Sequence, residues 1–467
     1  MKLRHLVCFA LVAASAHAAS PTPASAQSVK VPGFTFVRTV GDISEYRLDS
    51  NGLQVLVKPD HSSPTLTFMV TYRVGSRNEV TGTTGATHLL EHLMFKGTPK
   101  VNREKGTSVD QLLEKIGGNY NATTWLDRTN YYANIGSENL DRYMEVEADR
   151  MRNLWLRDDD RKPEMTVVRN EFEIGENDPA QALEKEIFAL AYLAHPYHHS
   201  TIGWRSDIEN VPIEKLKEFY DTFYWPDNAT ASIIGDFDTA KALELVKKHY
   251  GTIPNAPKPI PAMYTVEPEQ TGERRAVVKR AGELGVVGIG HKIPAALHAD
   301  QAPLKVLNVI LTTGKNSRFY RALTDKNLTT GVRGDVGFFH DPSLHLLYAN
   351  LAPGSTHEQV EKIALDELER VKRDGVTNGE VAAAIAQILA AASYARDGSF
   401  AIASTLNEYI AAGDWTLYVN EDEALKKVTA ADVKRVANTY FLQDKRTTGW
   451  FIPNVPNAEP AAAPGAP

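Results

Sequence analysis

Cysteine is nearly absent from this chain of 467 residues: the single one is Cys8, in the opening stretch. No disulfide can therefore stabilise the remainder of the chain. Basic runs and basic–aromatic interleaving are missing too, and the net charge is −7, which gives no support to a nucleic-acid surface. Beyond the opening no apolar run is long enough to span a bilayer, which argues against an integral membrane segment. The opening itself reads as a cleavable export leader. Met1-Lys2-Leu3-Arg4 is a short basic start and Leu6 to Ala16 an apolar core of signal-peptide length. Ala16-His17-Ala18 and Ala24-Ser25-Ala26 are small-x-small cleavage candidates. Cys8 lies inside the apolar core, too early for lipid attachment. Residues 1–26 are thus expected to be signal peptide and loose leader, and the mature protein to be soluble, periplasmic or secreted.

What is present is an apolar content of 43%, enough for more than one core. At this length two domains of roughly 200 residues each are the natural expectation. The stretch from Gly85 to Thr98, Gly-Ala-Thr-His88-Leu-Leu-Glu91-His92-Leu-Met-Phe-Lys96-Gly-Thr, organises the rest. Leu89, Leu90, Leu93 and Met94 favour a helix, and Gly97-Thr98-Pro99 stops it. Four residues apart on a helix, His88 and His92 share one face one turn apart, where two imidazoles can hold one metal ion. Glu91 lies beside that ion. The order His-x-x-Glu-His is that of the inverzincins, with two zinc ligands and a general base.

The rest of the chain reads as two similar halves. Asn51-Gly52 between two strand-like runs signals a hairpin within Phe34–Val70, and Leu66 to Val74 is a further strand. Ser108 caps a helix that runs to Ile116 and ends at Gly117-Gly118. Asn119 to Trp125 and Thr129 to Ile135 read as paired strands. Helices are expected from Leu140 to Trp155, from Lys162-Pro163-Glu164 past Glu171, from Ala182 to Leu193, and from Ile213 to Tyr224. A strand over Ala229–Asp236 and a helix over Ala240–Tyr250 close the half. Four prolines between Ile253 and Pro261 allow neither helix nor central strand, so an extended connector is expected there. The second half repeats the order: strands at Ala276–Lys279 and Val286–His291, a helix at Ala302–Leu311 and a strand at Leu344–Leu351. Helices come next at Thr356–Asp374, Asn378–Arg396 and Ala430–Tyr440, then a strand at Thr447–Ile452. The expected plan is an α+β protein of two homologous lobes, each a mixed, mostly antiparallel sheet packed with helices. The lobes are placed at residues 30–252 and 264–452, the linker at 253–263, and a disordered Pro/Ala-rich tail at 453–467.

Two histidines leave a catalytic zinc one protein ligand short. Glu164 and Glu171 are seven apart on one helical face, so one can bind metal while the other supports it. Spacing leaves Glu164, Glu171, Glu173 and Glu176 all open. His195, His198 and His199 read as loop residues rather than as a second metal site, and Lys96 as a cap on the metal helix's C-terminal dipole.

These pieces together resemble the pitrilysin family, which includes insulin-degrading enzyme and the mitochondrial processing peptidase. The matching stretches are Gly85–Thr98, Gly118-Asn-Tyr-Asn121-Ala122-Thr123, Glu164 to Glu171, His195-Pro-Tyr-His-His-Ser-Thr-Ile-Gly203 and Ile233-Ile-Gly-Asp236-Phe. The resemblance implies one Zn2+ per chain, held by His88, His92 and Glu171, with Glu164 as a supporting carboxylate and Glu91 as general base. It also implies that Asn121, Ala122 and Thr123 lie on an edge strand to which a peptide substrate adds. Family members carry an Arg and a Tyr in the second half, after a segment like Asn316-Ser317-Arg318-Phe319-Tyr320. Here the corresponding positions hold Thr324 and Thr330. The expectation is a zinc metalloendopeptidase whose Arg/Tyr pair comes from a second homologous subunit in a heterodimer, closing a chamber. A homodimer, with Arg318, Tyr320 or Arg333 as substitutes, is the alternative. The rival reading is a non-catalytic member acting as an assembly or peptide-binding subunit.

Overall fold

The computed structural model describes residues 29–454. The expected leader lies outside them, as does the expected tail apart from Pro453 and Asn454, which close the last strand.

The first half runs β1 (Phe34–Val40), β2 (Ile43–Leu48), β3 (Gln54–Pro59), β4 (Thr65–Tyr72), α1 (Ala86–Leu93), α2 (Val109–Ile116), β5 (Asn119–Thr124) and β6 (Thr129–Gly136). It continues α3 (Leu140–Asn153), α4 (Asp158–Asn177), α5 (Pro179–Ala191), α6 (Arg205–Asn210), α7 (Ile213–Phe223), β7 (Ala229–Gly235) and α8 (Thr239–Tyr250). The proline-rich stretch carries no helix or strand. The second half runs β8 (Arg274–Ala281), β9 (Val286–Ile293), α9 (Gln301–Thr312), β10 (Thr329–Val336), β11 (Ser343–Leu351) and α10 (His357–Asp374). It ends α11 (Asn378–Tyr394), α12 (Ser399–Ala412), α13 (Leu417–Lys426), α14 (Ala430–Tyr440) and β12 (Arg446–Asn454).

Among the described residues the strands form a seven-stranded sheet, β1-β2-β3-β7-β4-β6-β5, and a five-stranded one, β10-β11-β9-β12-β8. Both are mixed and mostly antiparallel, with one parallel pair each, β3 with β7 and β8 with β12. The fold is α+β in two homologous lobes, as the sequence predicts. Strand by strand, β3-β7-β4-β6-β5 repeats as β8-β12-β9-β11-β10. The helices match as well: α1 stands where α9 does, α4 where α11 does, and α5 where α12 does.

The last equivalence has a structural consequence. Helix α12 comes from the second half but lies across β4 and β7 of the first sheet. There Ile402, Leu406 and Ile410 share a buried cluster with Ile43, Leu56, Met69 and Ile234. Helix α5 does the reverse, packing on β8, β9 and β12, where Leu183 and Ile187 meet Val278, Leu346 and Phe451. Two glycines make that approach possible: a Cβ at Gly288 would stand 2.6 Å from Ile187 Cδ1, and one at Gly449 2.7 Å from Leu183 Cδ1. Each fully buried leucine in these contacts contributes about 2 kcal/mol, so each half is stabilised by the other's helix.

Several expected boundaries shift. Helix α4 starts at Asp158, so Pro163 lies inside it rather than at its start. Asp158, Asp159 and Asp160 fill the first turn, where carboxylates favour a helix N-terminus and offset the lost proline N–H. Helix α5 is separate from α4, with Asp178 as its N-cap and Pro179 at its first position. Helices α6, α12 and α13 and strand β10 are not expected from the sequence. Strand β10 contains Gly331, Gly334 and Asp335, poor strand formers held there by pairing with β11.

Candidate metal centre

Helix α1 is short and its start is fixed from outside. Gly85, its N-cap, has φ +84°, and a Cβ there would stand 2.4 Å from the Ile202 carbonyl oxygen, so only glycine fits. The N–H groups of Gly85 and Thr87 donate to the buried Glu79 carboxylate at 2.8 and 2.7 Å. Burial pushes the Glu79 carboxyl up to about 8 in spite of these bonds. Asp207 Oδ2 accepts from Gly82 N, Thr84 N and Thr84 Oγ1, which fixes the loop leading in. Leu89, Leu90 and Leu93 are buried in the first lobe's core, so the histidine face turns toward α4.

On that face the His88 and His92 rings lie 4.8 Å apart, centre to centre. Glu171 of α4 meets both: its Oε2 is 3.6 Å from His88 Nε2 and 3.6 Å from His92 Nε2. Three donor atoms, one from each of these residues, lie within 4.8 Å of one another. For tetrahedral zinc with bonds of about 2.0–2.1 Å, neighbouring donors sit roughly 3.3–3.4 Å apart. Glu171 Oε2 thus stands close to the spacing that a single zinc ion needs from both imidazoles. Burial and the neighbouring His92 push His88 down to about 4, so its imidazole is neutral at pH 7 and offers a lone pair to a metal.

Glu164, two helical turns before Glu171 on the same face, takes the other side of His92: its Oε1 lies 2.9 Å from His92 Nδ1. Its Oε2 pairs with Lys96. Lys96 is thus an ion-pair partner of Glu164 rather than a cap for the α1 dipole, because the buried carboxylate attracts it more strongly than the helix end. Burial raises the Glu164 carboxyl, but Lys96 and His92 outweigh it and the net pKa is lowered.

Glu91 is buried beside the trio, and its Oε2 accepts from Thr124 Oγ1 at 2.5 Å. Burial raises its pKa and Glu171 adds to the rise, against the bond from Thr124 and the charge of His92. A carboxylate shifted upward is suited to taking and returning a proton near neutral pH. Thr124 ends β5, the sheet's edge strand. Asn121 and Thr123 are exposed on that strand and Ala122 is buried. Arg128 braces the turn after it, donating to the Thr123 carbonyl at 3.2 Å and to Glu408 of α12.

A cavity of about 540 Å³ opens from His88 and Glu171, with Phe172, Phe188 and Ile202 in its wall and Glu184 of α5 at its edge. His199 also lines it, while His195 is bound to Asp341 at 3.0 Å, so the loop histidines form no metal cluster with each other among the described residues. The positions expected to hold Arg and Tyr are threonines engaged elsewhere: Thr324 Oγ1 is 2.9 Å from Thr329 Oγ1, and Thr330 is exposed on β10. Arg318 is tied to Glu380 at 2.8 Å, away from the cavity. Glu79 and Thr124 are functional candidates that sequence reasoning missed. Glu79 lies outside the reach of an ordinary N-cap, and Thr124 acquires meaning only when distant segments meet.

Two family descriptions match the chain, "Insulinase (Peptidase family M16)" over residues 54–204 and "Peptidase M16 inactive domain" over 210–388. His88, Glu91, His92, Glu164 and Glu171 all fall within the first. The chain is 34% identical to the zinc protease PqqE of Helicobacter pylori over 408 residues, 86% of this chain and 91% of that one. It is 24% identical to the mitochondrial-processing peptidase subunit beta of Lentinula edodes over 426 residues, 87% and 90% of the two. A crystal structure of a protease from Helicobacter pylori superposes with a TM-score of 0.82 at 33% identity, covering 91% of this chain and all of that one.

Proposed function

The chain belongs to the insulinase family of peptidases, and from that premise we propose that it is a zinc metalloendopeptidase acting on peptides or unfolded segments. The observation that carries this reading is the convergence of His88, His92 and Glu171 on one point with Glu91 beside them. When bound there, zinc supplies a Lewis acid that polarises a peptide carbonyl and acidifies a water. Glu91 takes the water's proton and hands it to the leaving amine. Thr124 holds Glu91 in place. Glu164 fixes the His92 ring through Nδ1, so that Nε2 faces the metal position. A substrate adds to the outer edge of β5 at Asn121, Ala122 and Thr123, where backbone pairing gives recognition with little demand on sequence.

The Arg/Tyr pair that would steady the oxyanion is supplied by a second homologous subunit, which also closes the chamber. Support comes from Thr324 and Thr330 at the expected positions and from the capture of Arg318 by Glu380. The leader motif supports export to the periplasm or beyond. Among the described residues no single helix is long and apolar enough to cross a membrane.

The test is peptidase activity of the zinc-loaded chain, alone and mixed with a homologous subunit that carries the Arg/Tyr pair. Activity only in the mixture, lost by about 10²–10⁴-fold in Glu91→Gln, is the expected result. Full activity from the chain alone removes the partner requirement. Unchanged activity in Glu91→Gln removes the base, and no activity in any mixture favours a non-catalytic subunit.

A further inference from the structure

Strand β5 is held to its sheet on one side only, by β6, and its outer edge is unpaired among the described residues. A strand held on one side opens more readily at its end than one held on both. The end of this strand carries Thr124, which bonds Glu91, so its position bears on the proposed chemistry.

The turn after it is gripped from far along the chain. Asp127 and Arg128 are both buried there. Asp127 Oδ2 accepts from the His340 N–H at 2.9 Å, in the connection between β10 and β11, and its Oδ1 accepts from the Tyr197 hydroxyl at 2.7 Å. Arg128 spreads its guanidinium between the lobes. Nη1 donates to the Thr123 carbonyl at 3.2 Å, to Thr123 Oγ1 at 2.6 Å and to Asn130 Oδ1 at 3.0 Å. Nε and Nη2 donate to Glu408 Oε1 on α12 at 3.0 and 2.5 Å. Asn407, beside Glu408, donates to Asn130 Oδ1 at 3.2 Å and accepts from Thr71 Oγ1 at 2.6 Å. Helix α12 is thereby tied to β4, to β6 and, through Arg128, to β5. A planar guanidinium with its donors in a fixed fork carries position from one arm to the other, which a flexible ammonium does not.

From this geometry we infer that Arg128 is a positioning residue and Glu408 its anchor: the second half of the chain, through α12, sets the end of the strand to which the peptide adds. The inference rests on the peptidase reading, since it takes β5 as the peptide's partner. Edge pairing reads backbone, so loss of the tie weakens peptides of any sequence alike. Arg128 makes no hydrogen bond to α1 or α4 among the described residues, so the metal donors keep their places.

The test uses the full-length, zinc-loaded chain in a Glu91→Gln background and two fluorescein-labelled peptides of unrelated sequence. Fluorescence anisotropy should show Glu408→Gln weakening both peptides about threefold and Arg128→Met weakening both about tenfold, with zinc affinity unchanged. Glu408, its side chain 38% exposed, accepts its change even if Arg128→Met fails to fold. Arg128→Lys keeps a charge against Glu408 but loses the fork. Its melting temperature should return toward the parent's while its peptide binding stays near that of Arg128→Met. Hydrogen exchange without peptide should be several-fold faster over residues 122–124 in Glu408→Gln and unchanged in β9 and β11. Binding that falls and recovers in step with the melting temperature makes the tie a plain structural brace and overturns the inference. Parent-like binding and exchange in Glu408→Gln overturn it too, and both results leave the peptidase reading standing. A zinc-loaded parent that binds neither peptide overturns the reading on which the inference rests.

Discussion

Each lobe holds a pair of histidines, and only one pair faces acids. In the first lobe His88 and His92 stand on one helix with Glu171 before them and Glu164 behind. In the second, His291 and His345 sit opposite each other on β9 and β11, both fully buried, with their rings against Phe441 at 4.8 and 5.0 Å. The second pair has Asn308 as its polar neighbour, 3.1 Å from His345 Nε2. The helices repeat the contrast. Where α1 carries His-Leu-Leu-Glu-His, α9 presents Val306, Leu307, Ile310 and Leu311. Where α4 carries Glu164 and Glu171, α11 is rich in alanine. One architecture thus gathers three candidate metal donors in one half and forms a plain core in the other. On the proposed reading the chemistry lives in five side chains grafted on the fold, not in the fold itself.

The strongest way to break this comparison is through the exchanged helices, where the halves are held to be equivalent. Leu183→Ala on α5 and Leu406→Ala on α12 each remove a fully buried side chain and should cost about 2–5 kcal/mol. Because each helix lies on the opposite sheet, both variants should lower one common unfolding transition in denaturant. Two separable transitions would show that the halves are independent.

The acids of the first lobe come next. Glu164→Gln should weaken zinc binding about 10- to 100-fold with the melting curve preserved, as loss of a partner to a ligating histidine does. Unchanged affinity would reduce Glu164 to a structural ion-pair partner of Lys96.

The histidines of the second lobe should act on stability alone. Burial pushes His345 from 6.5 down to about 3, and His291 is also lowered by burial. The unfolded chain therefore binds more protons than the folded one below pH 6.5. The contribution of His345 should be full above that pH and fall toward pH 3, by about 1.4 kcal/mol per unit, with His291 acting in the same direction. His345→Gln should flatten the slope between pH 6 and 4 without changing zinc affinity. An undiminished slope would mean that other groups carry it. The smallest expected effect is Lys96→Met, a loss of zinc affinity of less than about tenfold, because Lys96 acts only through Glu164.

What can be read in the sequence depends on the range of the forces involved. The α1 helix, its glycine boundaries and the hairpin at Asn51-Gly52 are local, and the residues announce them. The repeated order of strands also shows through, since apolar runs and turn residues mark it. Helix α12 is not legible because Ile402, Leu406 and Ile410 serve the sheet of the other lobe, far along the chain. The separate roles of Glu164 and Glu171 stay open in the sequence for a related reason. Seven-residue spacing puts them on one face, but the distance to α1 decides which acid meets which nitrogen. Lys96 reads wrongly as a dipole cap because its helix end is visible in the sequence and its carboxylate partner is not.

The most direct measurement is equilibrium zinc binding, by chelator competition with metal analysis, to the mature parent chain and to Glu171→Gln. One tightly held zinc per parent chain, lost by about a hundredfold or more in Glu171→Gln, is the expected result. A parent chain that binds no zinc, or a Glu171→Gln chain that holds it as tightly as the parent, would contradict a metal centre built from His88, His92 and Glu171.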